Sequence, residues 1–218
     1  MTDMLDPFSP TASRAARAHR AGPRPPAVPC RPVQIEPLDR FPDVALVIPD
    51  RHGDERGFFV ETFRAQWFPG LSFVQDNHSF SLAPFTVRGL HFQSPPHAQT
   101  KLMRVARGRI RDAVIDLRVG SPTYAEHAVV ELSADEGHQL LVPVGFAHGF
   151  ITLEPHTDVI YKVSDYHSPD HDGGIRWDDP ELAIDWGVSE NEVTISTRDR
   201  ALPLFADVSS PFTHGDGA

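Results

Sequence analysis

The sequence predicts an all-β domain, an antiparallel sandwich or barrel with short peripheral helices, and three observations carry that expectation. Short alternating or β-branched runs recur at even spacing from Lys101 to Val163. Turn signals separate them: Arg107-Gly108, Val119-Gly120-Ser121-Pro122, Asp135-Glu136-Gly137, Pro143-Val144-Gly145 and Glu154-Pro155. The 218 residues include 21 prolines and 15 glycines, and long amphipathic helical patterns are scarce. Two sheets curled into a jelly roll would leave an interior wide enough for a small ligand.

Taken in order, residues 1–32 read as a disordered extension rich in Pro, Arg and Ala. Arg14, Arg17, Arg20, Arg24 and Arg31 occur there with no acid after Asp6, and no apolar periodicity supports folding. The same composition suits an organelle transit peptide, or a start codon placed too early. Val33 to Glu36 is a short strand ended by Pro37, and Val44 to Pro49 a clearer one. Glu55 to Glu61 is strand-like, Thr62 to Phe68 suits a short helix stopped by Pro69-Gly70, and Phe73 to Ser79 is extended. Further strands are expected at Leu102–Ala106, Arg109–Leu117, Ala128–Leu132, Gln139–Val142, Gly149–Leu153 and Asp158–Val163. Trp177 to Pro180 is a turn, Ala183 to Trp186 a short strand, and Ser196 to Asp199 a short helix or turn. The domain is expected over 33–206, with a frayed tail over 207–218.

Composition excludes several classes. The formal net charge of −10 argues against general nucleic-acid or anionic-membrane binding. The single cysteine, Cys30, rules out a disulfide framework and suits a reducing cytoplasm. No apolar run approaches the length of a membrane span, and no signal-peptide core is visible.

Chemistry concentrates in Val87-Arg88-Gly89-Leu90-His91-Phe92-Gln93 and in Gln99-Thr100-Lys101-Leu102. Polar groups in strand-like surroundings cost several kcal/mol unless satisfied, so they mark either a site or a core histidine with two surface cations. His91 is a candidate base, because imidazole titrates near neutrality. Asp199 is a candidate carboxylate to orient it, and equally the third position of a capping box begun by Ser196. Tyr161, inside an apolar strand, is either a proton donor or an ordinary barrel tyrosine. Arg56, Arg88 and Arg198 offer planar forks for phosphate oxygens, or are solvated surface residues. Pro143 to His148 has the shape of the second half of the cupin metal signature. Its first half, two histidines one residue apart followed by a carboxylate, is missing, so a metal is not expected; no Walker-type or dinucleotide glycine loop appears, and no other cofactor is expected. Read alone, His148 is a structural histidine.

Several stretches together resemble the dTDP-4-dehydrorhamnose 3,5-epimerase family: Asp54 to Phe59, Gln75-Asp76-Asn77, Arg88 to Gln93, Gln99 to Leu102, Gly145 to Phe150, Tyr161-Lys162, Asp165-Tyr166 with Ser168-Pro169, and Ser196 to Leu204. The resemblance runs from about Val33 to Phe205 and implies a metal-free, cupin-like jelly-roll barrel that forms a homodimer. It implies His91 as base, Asp199 as its paired carboxylate, Tyr161 as proton donor and Lys101 beside the sugar's keto oxygen. It places Arg56, Glu61, Gln75, Asn77, Arg88, His148, Tyr166, His167, Asp172 and Arg198 at nucleotide-sugar contacts. Asp172 stands where a glutamate is usual, Arg198 where a lysine is common, and His167 where a tyrosine often stacks on thymine. The Asn77–His91 interval is one residue longer than usual. The implied activity is epimerisation at carbons 3 and 5 of a dTDP-4-keto-6-deoxy sugar. A single-centre epimerase, a ketoisomerase and a non-catalytic nucleotide-sugar binder are the alternatives.

Overall fold

The computed structural model describes residues 33–215; the extension expected over 1–32 and the last three residues of the expected tail lie outside them. In chain order the strands are β1 (Gln34–Leu38), β2 (Phe41–Ile48), β3 (Arg51–Asp54), β4 (Gly57–Val60), β5 (Gln75–Ser81), β6 (Thr86–Gln93), β7 (Lys101–Arg107) and β8 (Arg109–Asp116). They continue with β9 (Arg118–Val119), β10 (His127–Ser133), β11 (Gln139–Val142), β12 (Phe146–Thr152), β13 (Thr157–Val163), β14 (Asp172–Gly174), β15 (Thr194–Ile195) and β16 (Phe212–Thr213). One four-residue helix, α1 (Thr197–Arg200), precedes the C-terminal stretch.

Two six-stranded sheets form a jelly roll. The first has the order β1-β2-β11-β7-β13-β5, and the second β10-β8-β12-β6-β14 with β15 added in parallel to β6. Period-two alternation sends one side chain in and the next out along each strand. The inward set packs between the sheets as Phe41, Val44, Met103, Val105, Ile110, Val114, Leu140, Phe146, Phe150 and Val159. The outer face of the second sheet is covered by the later chain through Ile175, Trp177, Trp186, Phe205 and Phe212. Phe63, Trp67, Phe68 and Phe73 cover part of the first sheet's outer face against Val47 and Leu102. Full burial of each such side chain stabilises by about 1.5–3 kcal/mol.

Local departures from expectation have physical causes. Pro37 does not end β1, because β1 is an edge strand and needs no amide donor on its open side; the register shifts just after it. Glu55 and Arg56 form the turn between β3 and β4 rather than a strand. The helix expected from Thr62 shrinks to a 3-10 turn at Ala65–Trp67, as Phe63 and Phe68 stack with each other and both meet Phe73. Ala183–Trp186 is not a strand. Asp179 pins its start by accepting from the amides of Glu181 and Leu182, and Trp186 turns inward to donate to the Trp177 carbonyl at 2.8 Å. The β12 strand begins at Phe146, so His148 lies inside it. Within the expected tail, Phe212 pairs with Arg118 and packs edge-on against Phe92 at 5.8 Å.

The pairing of β6 with β12 is irregular in a consequential way. His148 faces His91 and Phe150 faces Arg88, so β6 spends one residue more than β12 over the same span. Gly89 lies there at φ +119°, and a Cβ on it would stand 2.6 Å from Gly149 Cα and 2.8 Å from the His148 carbonyl. Gly89→Ala should therefore lower stability by about 2–4 kcal/mol, read from the shift of the urea midpoint at constant slope.

Candidate active site

A cleft of about 390 Å³ opens between the sheets, lined by Arg88, His91, Lys101, Met103, His148, Phe150, Tyr161, Arg198 and Asp199 among others. A second lobe of about 370 Å³ shares His91, Lys101, Tyr161 and Arg198 with it and adds Gln75, Asn77, Gln93, His167 and Asp172.

On the wall made by the second sheet, His91 Nε2 and Asp199 Oδ1 are 2.8 Å apart. The pair is 108 positions apart in the chain and is brought together by α1. Ser196 caps α1 by accepting from the Asp199 amide at 3.0 Å, and the Asp199 carboxylate remains free for His91. Only half of the capping box forms: the Asp199 carboxylate turns to His91 and the Gly89 amide and not back to the Ser196 amide. Burial alone would push the Asp199 carboxyl up. The hydrogen bond and charge of His91, the Gly89 amide and the Arg198 charge outweigh it and hold the group below the ordinary carboxylate range. An ionised Asp199 accepts from Nε2–H, so Nδ1 of a neutral His91 is its basic nitrogen.

The opposite wall belongs to the first sheet. Tyr161 on β13 pairs in register with Asn77 on β5 and Met103 on β7. Burial pushes its hydroxyl up, so it keeps its proton across the neutral range. Lys101 donates from Nζ to the His91 carbonyl at 3.3 Å. Burial pushes its ammonium down to about 8, against the opposing charges of Asp172 and Asp112.

Around these groups, β5 turns Gln75, Asn77 and Ser79 toward the cleft by simple alternation. Gln75 donates to Asn77 at 2.8 Å and accepts from the His167 amide at 3.3 Å. The His167 ring meets Gln93 Oε1 at 3.1 Å. Gln93 Oε1 also accepts from the Ser168 amide at 2.9 Å. Arg88 donates to the Phe80 carbonyl at 3.0 Å, and Arg198 pairs with Asp172.

Three expected residues are not gathered here. Arg56 stands at the β3–β4 turn, 85% exposed and paired with Asp54 at 2.5 Å. Glu61 pairs with Arg64 at 2.7 Å. Tyr166 is largely exposed and lines neither lobe, although its carbonyl accepts from Gln93 at 3.2 Å. Two residues went unnoticed in the sequence. Ser79 Oγ is buried at the cleft without a hydrogen-bond partner among the described residues. Asp112 lies behind the wall, with Oδ1 2.7 Å from His148 Nε2. The signal for Asp112 was its place between Ile110 and Val114 on the inward face of β8. His148, read alone as structural, lines the cleft. Among the described residues, no three His, Cys, Asp or Glu side chains are grouped to hold a metal.

A paired imidazole on one wall, with a protonated phenol and an amine on the other, can move a proton off one face of a ligand and onto the other. The fold and cleft thus define a jelly-roll protein with an acid–base site. The sequence model of the dTDP-4-dehydrorhamnose 3,5-epimerase family matches residues 39–207. A protein of that name from Sinorhizobium fredii is 45% identical over 79% of this chain and 90% of its own. A crystal structure of a Bacillus anthracis dTDP-4-dehydrorhamnose 3,5-epimerase with TDP and PPi bound superposes with a TM-score of 0.75 at 48% identity, covering 79% of this chain and 99% of that one. A Legionella pneumophila dTDP-6-deoxy-D-glucose-3,5-epimerase in complex with dTDP-4-keto-L-rhamnose gives 0.77 at 38% identity, over 81% and 95%. The chain belongs to the dTDP-4-dehydrorhamnose 3,5-epimerase family.

Any step that needs the Lys101 ammonium runs fully at low pH and declines as pH rises through about 8. The kcat/KM profile should show an alkaline limb there. Lys101→Arg, charged at every accessible pH, should lose that limb while turning over more slowly.

Proposed function

We propose that the protein inverts carbons 3 and 5 of dTDP-4-dehydro-6-deoxy-D-glucose to give dTDP-4-dehydro-L-rhamnose, with its own side chains as acid and base. The observation that carries this reading is the His91–Asp199 pair facing Tyr161 across one cleft. The keto group at carbon 4 acidifies the protons on both neighbouring carbons. His91 takes one of them, and Asp199 stabilises the imidazolium that results. The electrons move into the carbonyl, and the enolate oxygen is held by the Lys101 ammonium. Tyr161 returns a proton to the opposite face of the same carbon, which inverts it. A second cycle inverts the other centre.

Arg88 and Arg198 would take the diphosphate, and His148 would contact the substrate from the cleft wall. The lobe of Gln75, Asn77, His167 and Asp172 would receive the nucleoside. Binding energy from these remote parts is then available to hold the ring in place. The TDP and PPi bound by the Bacillus relative and the dTDP-4-keto-L-rhamnose bound by the Legionella one support a nucleotide-sugar ligand. No helix among the described residues is long and apolar enough to cross a membrane. The nucleotide-sugar substrate and the lone cysteine support a cytoplasmic setting.

Proton NMR in heavy water tests the reaction. Deuterium should enter both carbon 3 and carbon 5, and a downstream reductase should trap the rhamno-configured product. Label at carbon 3 alone would assign a single-centre epimerase, and binding without exchange a nucleotide-sugar binder. His91→Ala should cut exchange roughly 10²–10⁴-fold while the nucleotide still binds. Tyr161→Phe should keep exchange and lose inversion.

The active unit is a homodimer in this reading, with the β3–β4 hairpin serving the partner's cleft. The hairpin's exposed Phe58 and Phe59, 56% and 71% accessible, support it, as does the removal of Arg56 from its own cleft. Mixed protomers provide the check. Arg56→Ala and His91→Ala variants, each inactive alone, should regain activity on subunit exchange, because one mixed site is intact. Continued inactivity would place Arg56 outside the partner's site.

A further inference from the structure

Asp112 and Asp116 lie on the same face of β8, and both are 0% exposed. Their surroundings differ. Asp116 accepts from the Arg118 amide, Nε and Nη2 and from the hydroxyls of Ser121 and Thr123. Neither oxygen of Asp112 has a hydrogen-bond partner among the described residues. His148 Nε2 stands 2.7 Å from Asp112 Oδ1, an ion-pair distance, but off the hydrogen-bond axis. A buried carboxylate without donors is costly, and such groups persist where nearby positive charge compensates them. The structure supplies two candidates for that charge. His148 sits on the neighbouring strand β12, and Lys101 enters the same cleft from the opposite sheet.

We propose that Asp112 is a positioning residue for the reaction: its carboxylate holds the His148 imidazole at the cleft wall and supplies the compensating charge for the Lys101 ammonium. The proposal rests on the reading of Lys101 as the partner of the enolate oxygen. Lys101 shares the cleft with His91 and Arg88 from β6, His148 from β12, Tyr161 from β13, Asp172 from β14, and Arg198 and Asp199 from α1, while Asp112 on β8 stands directly behind His148. The flanking β11 places only Val142 opposite it. Arg198 already pairs with Asp172, and Asp199 with His91. Asp112 is therefore the carboxylate in this group without a directed bond to another side chain. It acts through Lys101 and His148 and does not itself line the cleft.

The chain contains two lysines, Lys101 and Lys162, which makes the test direct. Lys162 is bound to Asp76 at 2.8 Å and serves as an internal reference. Protein labelled with ¹³C-lysine is titrated by NMR without substrate, as wild type and as Asp112→Asn. The Lys101 midpoint should fall by about one unit in the variant, with Lys162 unmoved. The alkaline limb of kcat should move down with it. His148→Gln leaves the carboxylate in place and should keep the Lys101 midpoint at or above its wild-type value.

An unmoved Lys101 in Asp112→Asn, an equal shift of both lysines, or a matching fall in His148→Gln would overturn the proposal. Failure of Asp112→Asn to fold would overturn it too, by making the carboxylate a requirement of packing. Wild-type protein that fails to turn over the sugar would count against the functional reading alone, since the lysine titration stands without turnover.

Discussion

Arg88 and His91 are three residues apart on one strand, and in a regular strand they would face opposite sides of the sheet. Both line the cleft. The extra residue that β6 carries opposite β12 resets the alternation between them. The same irregularity sets His91 across from His148 and turns the Gly89 amide toward Asp199. It depends on two glycines, since a Cβ on Gly149 would stand 2.8 Å from the Arg88 carbonyl, mirroring the crowding at Gly89. Site geometry is thus fixed by how closely two backbones approach, before any side chain is chosen.

With that wall fixed, the electrostatics follow from which sheet each group comes from. The imidazole and its carboxylate belong to the second sheet and its appended helix, and the amine and phenol to the first. The protein interior lowers the acidity of Tyr161 and weakens the hold of Lys101 on its proton, while hydrogen bonds keep Asp199 ionised. Each group therefore sits in the protonation state that its proposed task requires near neutral pH.

Much of this was visible in the sequence, because period-two alternation is a local property. The strands from Lys101 to Val163 follow it closely. His91, Lys101 and Tyr161 stood out as polar groups inside strand-like runs, and Ser196-x-x-Asp199 announced the helix that carries the carboxylate. What the sequence hid depends on distant pairing. Asp112 looked like one more polar position until β12 set His148 beside it. The stretch after 207 has no periodicity of its own, yet Phe212 is held by Phe92 and by β9. The run from Ala183 to Trp186 has strand-like composition, but Asp179 and the Trp177 carbonyl bend it inward. Arg56 and Glu61 were read as nucleotide-sugar contacts without a way to tell whose site they serve, and the fold places them on a hairpin and its following loop away from their own cleft.

The order in which the chain is made gives the late position of Asp199 a further meaning. The ribosome delivers His91, Lys101 and Tyr161 well before β15 and α1, which bring the carboxylate to the back of the imidazole. A nascent chain can therefore assemble most of its barrel strands while its base still lacks an orienting partner. Proteolytic loss of everything after Ile195 would remove that partner together with Phe205 and Phe212 from the cover of the second sheet. In this architecture the base acquires its orienting partner late in synthesis.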